Sequence, residues 1–287
     1  MEKETKSKKI ISGKVREVYD TGKNELIIVT TDRISAFDVI LDTEIPLKGV
    51  QLNKISNFWF DYTKDLVKNH LISTDTKDMP KEFQDEYYQD RTIMVHKLKM
   101  FPYEVIVRGY LFGSMWNAYT AGEEFCGKKF TGSHELAERL VEPIVTPSTK
   151  SSEGHDINIT REEMAEQIGK DTAKKIFNIS LALYNKCYDY AFAKGIIIAD
   201  TKFEFGLDEN GNLVLADEIF TPDSSRFWSA KDYRTGESPK SFDKQFVRDW
   251  LIANKLDGVT PAPKLPDEIA CKTAELYAEC RNRIIEM

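Results

Sequence analysis

The sequence predicts an α+β fold of two lobes, a β-rich N-terminal lobe over a mixed α/β lobe closed by C-terminal helices. Three observations carry this expectation. Strand-like runs crowd the first hundred residues, two β-rich runs at 195–206 and 213–220 flank Asn210-Gly211, and amphipathic helical patterns fill much of the second half. With 287 residues, 41% of them hydrophobic, the chain can bury the core of one large domain or of two lobes. The expected division is 1–102 and 103–287.

Residues 10–20 read as one strand, with a turn near Thr21-Gly22 and a return strand at 26–32. On the first strand Lys14 and Arg16 share a face and Val15 points the other way. Gly13 followed by alternating bases suits a cover over nucleotide phosphates, glycine permitting close approach and the bases supplying charge. A solvated edge hairpin is the alternative. No Walker-type loop and no GxGxxG motif is present.

Residues 51–70 read as a helix with Leu52, Ile55, Phe58, Trp59, Tyr62 and Leu66 on its apolar side, and 71–90 as a polar surface connection. Residues 91–100 are strand-like. Phe101-Pro102 is expected to break that run before a new strand at 104–108, which makes the segment a connector between lobes. Arg108 with Ser114 near a helix start suits a phosphate, because free N–H groups and the helix dipole favour anions. A structural ion pair with an N-capping serine explains the same residues. Residues 120–142 read as an insertion, and 143–158 as a long polar loop carrying Lys150, Glu153, His155 and Asp156. Thr160 and Glu163 form a capping box that opens one long helix, with Ile168, Ala173, Ile176, Ile179, Leu183 and Cys187 inward, ended by Lys194-Gly195.

The rest of the chain is organised around the hairpin that follows. If Asn210 and Gly211 form a two-residue turn, Glu204 stands opposite Asp217. Two carboxylates facing across a ladder repel, by about 4 kcal/mol at 4 Å for an effective dielectric of 20, and a cation between them removes the penalty. Asp200, Lys202 and Glu204 share one face, with Thr201, Phe203 and Phe205 on the other. Oxygen-only ligands from two strands, without a nearby His or Cys, suit Mg²⁺, which commonly takes one or two carboxylates plus substrate phosphates. A solvated hairpin is the alternative, and the apolar runs before Asp200 and Asp217 argue for burial. The turn at 221–228 sets Asp223 and Arg226 close to these carboxylates. A helix at 241–256, a proline-stiffened linker at 260–266 and a closing amphipathic helix at 267–285 complete the chain.

Composition narrows the function. A net charge of −7 gives no support to nucleic-acid binding, so an anionic ligand must be held by local bases. No apolar run approaches the ~18 residues of a membrane span and the first residues lack a signal-peptide core, so a cytoplasmic location is expected. Cys126, Cys187, Cys271 and Cys280 show no CxxC spacing and read as free thiols.

In this order, Gly13-Lys-Val-Arg-Glu-Val-Tyr19, Val107-Arg-Gly-Tyr-Leu-Phe-Gly-Ser114, Asp200-Thr-Lys-Phe-Glu-Phe-Gly206 and Asp217-Glu-Ile-Phe-Thr-Pro-Asp-Ser-Ser-Arg226 resemble the signatures of the SAICAR synthetase family. The resemblance implies a kinase-like nucleotide cleft and an ATP-dependent ligase. It would join L-aspartate to the carboxylate of CAIR, a phosphoribosyl aminoimidazole carboxylate, through an acyl phosphate. On this resemblance Gly13, Lys14, Val15 and Arg16 meet ATP phosphates, the backbone at Met100 meets adenine, and Glu204 and Asp217 hold Mg²⁺. Arg108, Ser114 and Arg226 grip the CAIR ribose phosphate, while Asp200, Lys202 and Asp223 line its ribose or imidazole end. Lys14 and Lys202 neutralise charge during transfer, and Lys150 matches a lysine of the family's mobile loop. Ser35, Asp38, His155 and Asp156 are the candidates for aspartate. Small molecules are the implied partners, with a monomer or homodimer as the assembly. Two other classes stay open: a small-molecule or inositol phosphate kinase with a hydroxyl acceptor, and a non-catalytic nucleotide-binding module. The intact Lys14, Lys202, Glu204 and Asp217 argue against the module.

Overall fold

Apolar alternation in the first hundred residues builds an antiparallel sheet. In the computed structural model, which describes residues 6–150, 156–242 and 244–286, β1 (Lys8–Ser12), β2 (Arg16–Asp20) and β3 (Glu25–Thr30) follow as consecutive hairpins. The expected single strand over 10–20 is therefore two. Ser12 pairs with Glu17, and Gly13, Lys14 and Val15 turn between them, closed by the Gly13 amide donating to the Arg16 carbonyl at 2.8 Å. A small hairpin of β4 (Ser35–Ala36) and β5 (Val39–Ile40) carries Phe37 and Asp38 at its tip, both at positive φ.

Helix α1 (Lys48–Tyr62) begins where Asp32 accepts from the Gly49 amide at 2.8 Å. A Cβ on Gly49 would lie 2.2 Å from the Thr30 carbonyl, so the helix start rests this closely on the sheet only with glycine there. The helix stops short of the expected 70 because the chain turns to lay Lys68 to His70 beside a later strand. β6 (Leu71–Ser73) and β7 (Thr92–His96) complete a sheet of order β1-β2-β3-β7-β6.

The chain passes to a second sheet at Lys97 and Leu98, since β8 (Lys99–Tyr110) runs through Phe101-Pro102 without a break. Pro102 is tolerated because the ladder to the neighbouring strand shifts there: Glu104 pairs with Glu204 but Met100 with Gly206. A proline at a bulge removes no ladder bond. α2 (Ser114–Ala121), β9 (Arg139–Thr149), β10 (Ile157–Asn158), α3 (Arg161–Ile168), α4 (Lys170–Ala193), β11 (Ile196–Leu207), β12 (Leu213–Ala216), β13 (Ser225–Ser229), α5 (Gln245–Ala253) and α6 (Asp267–Arg281) follow. The second sheet has the order β10-β9-β8-β11-β12, with β13 also on β11.

Two further expectations need correction. Much of the segment read as an irregular loop at 143–158 is strand β9, paired to β8 from Ile144 to Thr149, its alternation masked in sequence by Pro143 and Pro147. The Thr160–Glu163 capping box is present, but Gly169 at φ 89° divides the expected long helix into α3 and α4.

Helix α4 lays Ala173, Ile176, Leu183 and Cys187 on the second sheet, against a core that includes Val105, Val107, Ile198 and Phe203. Phe203 and Phe205 face this core while Lys202 and Glu204 face away, which is the alternation the sequence shows. The C-terminal helices pack backwards onto the N-terminal segment, Val247, Leu251, Leu265 and Ala270 meeting Ile34, Ala36, Leu41 and Ile45. The four cysteines are free, and no helix among the described residues is long and apolar enough to cross a membrane.

Candidate active site

The face of β11 opposite the core gathers charge in two groups. At one end, Lys202 donates to Glu104 at 2.7 Å and to Glu204 at 3.1 Å, and lies 3.8 Å from Asp217. Lys150 reaches the other Glu204 oxygen at 2.7 Å. Arg16, at the base of the β1–β2 turn, grips Asp217 with both terminal nitrogens, at 2.5 and 3.0 Å, and touches Glu218 at 3.2 Å. Burial opposes charge on Lys202, but Glu204, Asp217 and Glu104 outweigh it and hold the ammonium well above its ordinary range. Asp217 goes the other way: Arg16 and Lys202 overcome its burial and keep it ionised far below the usual carboxylate range. Burial and the neighbouring Asp217 push Glu204 up.

The register differs from expectation. Glu204 stands opposite Ala216, not Asp217, because the connection is the five-residue loop 208–212. Asp208 shapes that loop by accepting from the amides of Asn210 and Asn212, at 3.0 and 2.8 Å. Asp217 follows the last pair and has φ 66°, which turns its carboxylate back toward Lys202. The glutamate facing Glu204 across the ladder is Glu104, on β8.

At the other end of the face, Asp200 accepts from Arg226 and lies 3.8 Å from Arg108. Arg108 is buried, with its Nε donating to Thr146 at 3.0 Å. Burial and the nearby Arg226 work against its charge, leaving a guanidinium pair with one carboxylate between them. Ser114 opens helix α2 on Gly113, whose φ is 59° and whose absent Cβ would lie 2.8 Å from an Arg226 nitrogen. Two arginines and a helix start converge here, a suitable cradle for a phosphate.

The remaining expected residues are distributed less simply. Gly13, Lys14 and Val15 form the β1–β2 turn, braced by Arg33 donating to the carbonyls of Gly13 and Lys14 at 3.1 and 3.4 Å. Lys14 pairs with Asp38 at 2.5 Å, and Ser35 is buried in the adjoining hairpin. Met100 is exposed on β8 opposite Gly206. Asp223 does not open toward the cleft as expected: its oxygens accept from Tyr277 at 2.6 Å and Lys48 at 2.7 Å, inside a buried cluster. Asp156 is exposed, while His155 and Glu153 lie outside the described residues.

Sequence reasoning missed Glu104 and Lys48. Glu104 and Arg108 are four apart on one strand and so share a face, a signal that alternation offers once 104–108 is read as a strand. Lys48 and Tyr277 meet Asp223 across separations of 175 and 54 residues, and no local pattern announces such contacts.

The fit to a magnesium ion rests on the donor set. Glu204 and Asp217 both lie on Lys202, at 3.1 and 3.8 Å, and their oxygens are held by Lys150 and Arg16 as well, so a divalent cation there would take over contacts now made by ammonium and guanidinium groups; among the described residues no group of three or more His, Cys, Asp or Glu forms a cage. Two protein carboxylates completed by phosphate oxygens match the way Mg²⁺ is usually held.

A family model described as SAICAR synthetase matches residues 9–263. The chain belongs to that family. Among relatives, the phosphoribosylaminoimidazole-succinocarboxamide synthase of Lachnospira eligens is 50% identical over 278 residues, covering 94% of this chain and 92% of its own. The synthase of Saccharomyces cerevisiae is 46% identical over 281 residues, covering 94% and 92%. A solved structure described as SAICAR-synthase from Saccharomyces cerevisiae complexed with SAICAR superposes with a TM-score of 0.90 at 42% identity, over 99% of both chains. Another, described as SAICAR synthetase (Type-2) in complex with ADP, gives 0.72 at 28% identity, over 96% of this chain and 97% of the other.

Proposed function

We propose that the chain joins CAIR and L-aspartate in an ATP-dependent ligation that yields SAICAR, ADP and phosphate, in the cytoplasm and in purine biosynthesis. Family membership supports the reaction class. The observation that carries the assignment within the molecule is the division of one strand face. Asp200 sits with the arginine pair at one end and Glu204 with the lysine and carboxylates at the other. Four residues of strand span about 13 Å, room for one extended phosphoribosyl heterocycle between a phosphate anchor and a phosphoryl donor.

In this reading Arg108, Arg226 and the amide end of α2 at Ser114 take the ribose phosphate, and Asp200 and Lys202 lie toward its ribose or imidazole end, while Asp223, with both oxygens taken inside a buried cluster, supports the site from behind. Gly13, Lys14, Val15 and Arg16 meet the ATP phosphates from the turn above, and the backbone at Met100 meets adenine. Glu204 and Asp217 would hold Mg²⁺, which when bound supplies charge neutralisation at the phosphates.

A carboxylate is a poor electrophile, so a CAIR carboxylate oxygen first takes the γ-phosphoryl group and ADP leaves. The aspartate amine then attacks the acyl carbon, the C–O bond to phosphate breaks, and the amine loses a proton as the amide forms. The protein's part is to align the two anions and balance their charge. Lys202 is placed for this at the junction, Lys14 and Lys150 approach from the turn and from β9, and Ser35, Asp38, Asp156 and His155 are the proposed neighbours of the aspartate. An amine that arrives neutral needs no strong side-chain base.

The test is ADP release from Mg-ATP with CAIR and L-aspartate, each omitted in turn. Release that requires all of them, with a succinocarboxamide product by mass spectrometry, is expected. Steady release with a hydroxyl acceptor and no need for aspartate would overturn the ligase assignment in favour of a kinase.

A further inference from the structure

Helix α6 begins at Asp267, beyond residue 263 where the family match ends. It nevertheless reaches the loop that carries the site. Tyr277 is fully buried, and its hydroxyl donates to Asp223 Oδ1 at 2.6 Å. Lys48 at the start of α1, also fully buried, donates to Asp223 Oδ2 at 2.7 Å and stands 5.7 Å above the Tyr277 ring. Lys244, just before α5, lies 3.7 Å from the same oxygen. Asp223 thus joins α1, α6 and the segment before α5.

Its place in sequence gives this cluster a consequence. Asp223 lies between Asp217 and Arg226, the residues assigned to the metal and to the ribose phosphate. The turn between them is braced from within, Thr221 accepting from the amides of Ser224 and Ser225 at 3.1 and 2.8 Å. The turn leads directly into β13, whose second residue is Arg226, paired with Asp200, so the position held at Asp223 sets where that strand enters the ladder. A carboxylate with a side-chain exposure of 2% would be costly to bury alone, and the phenol and two ammonium groups make the position stable.

We propose that Tyr277 is a positioning residue for CAIR binding: through Asp223, its hydroxyl sets the turn that aims Arg226 at the ribose phosphate. The C-terminal helix is then part of the substrate site and not only a cover. This rests on the assignment of Arg226 to the phosphate, so the experiment includes a variant that tests that assignment by itself.

Tyr277→Phe keeps the ring beside Lys48 and removes only the hydroxyl. Losing a hydrogen bond to a charged group predicts a rise in the KM for CAIR of about tenfold, with the KM for ATP within about twofold. Tyr190→Phe is the control. Its hydroxyl donates to the Ile284 carbonyl at 2.9 Å, so it removes a bond to the C-terminal segment without touching Asp223. It should lower the unfolding midpoint and leave the ratio of the two KM values unchanged. Arg226→Ala is assayed in parallel. If Arg226→Ala leaves the KM for CAIR unchanged, the phosphate assignment fails and the inference falls with it. If Arg226→Ala raises that KM and Tyr277→Phe does not, or raises both KM values equally, Tyr277 has only a structural role and the inference alone is overturned.

Discussion

Lys202→Met asks whether one ammonium is what allows the carboxylate cluster to be buried. Glu104 and Glu204 face each other in the β8–β11 ladder, and Lys202 contacts them at 2.7 and 3.1 Å. Contacts of that length to one nitrogen keep the two carboxylates within about 6 Å, where at an effective dielectric of about 20 they repel by about 3 kcal/mol. The substitution keeps the length of the stem and removes the charge, so the repulsion returns and buried oxygens lose a donor. Breaking a buried pair from one side costs about 3–5 kcal/mol. Against a typical stability of about 5–15 kcal/mol, the variant should fold with a much lower urea midpoint. Adding Glu104→Gln to Lys202→Met removes one of the facing charges at nearly constant shape and should regain about 3 kcal/mol. A single variant within about 1 kcal/mol of the parent chain, or a double variant no more stable than the single, would refute the reasoning.

Asp217→Asn should abolish turnover in the ADP assay while circular dichroism stays unchanged; near-normal activity would remove Asp217 from the metal site. Gly113→Ala places a methyl group 2.8 Å from an Arg226 nitrogen at a φ of 59°, so it should raise the KM for CAIR and leave that for ATP, and equal KM values would separate Gly113 from the phosphate end. Glu17 gives a pH dependence. Burial pushes its carboxyl up, but hydrogen bonds from Lys9, Tyr19 and Arg33 outweigh this and hold it at about 2. Its folded value is below its unfolded one, so its contribution is complete above the ordinary value of 4.5 and is lost as pH falls through 2. At about 1.4 kcal/mol per unit, with solvent screening of a partly exposed group, the contribution is at most about 3 kcal/mol. Urea midpoints measured down the acid range should fall less steeply for Glu17→Gln, and parallel curves would show that Glu17 carries none of the slope.

What the sequence makes legible follows its local patterns. Alternation over 200–205 separates Lys202 and Glu204 from Phe203 and Phe205 correctly, and the capping box at Thr160 marks the start of α3. Turns decided by side chains are harder. Gly13 ends one strand where the pattern continues, and Gly169 divides a helix whose apolar spacing runs on either side of it. Pro102 misleads in the other direction, because a shifted register removes the demand for its amide. The contacts of Asp223 with Lys48 and Tyr277 are invisible for a different reason: they arise when α6 folds back on α1, and depend on packing between elements far apart in the chain.

Asp217 reaches Lys202 by a route other than the register the sequence suggests. A two-residue turn would put Glu204 and Asp217 side by side on one face. The five-residue loop shifts the pairing by one, and a shift of one residue turns a side chain to the other face of the sheet. By that rule Asp217 should point into the core. It does not, because the ladder ends at Ala216 and Asp217 takes a left-handed conformation at φ 66°. That conformation costs a non-glycine residue about 1–2 kcal/mol. Arg16 holds the carboxylate with both nitrogens, so the surrounding structure maintains the strained residue. The arrangement lets one short strand give Leu213 and Leu215 to the core and then turn the next residue of that face, Asp217, toward Lys202. Backbone strain of this kind persists only where surrounding contacts hold it, and here it turns the carboxylate to a face that ordinary strand alternation would deny it.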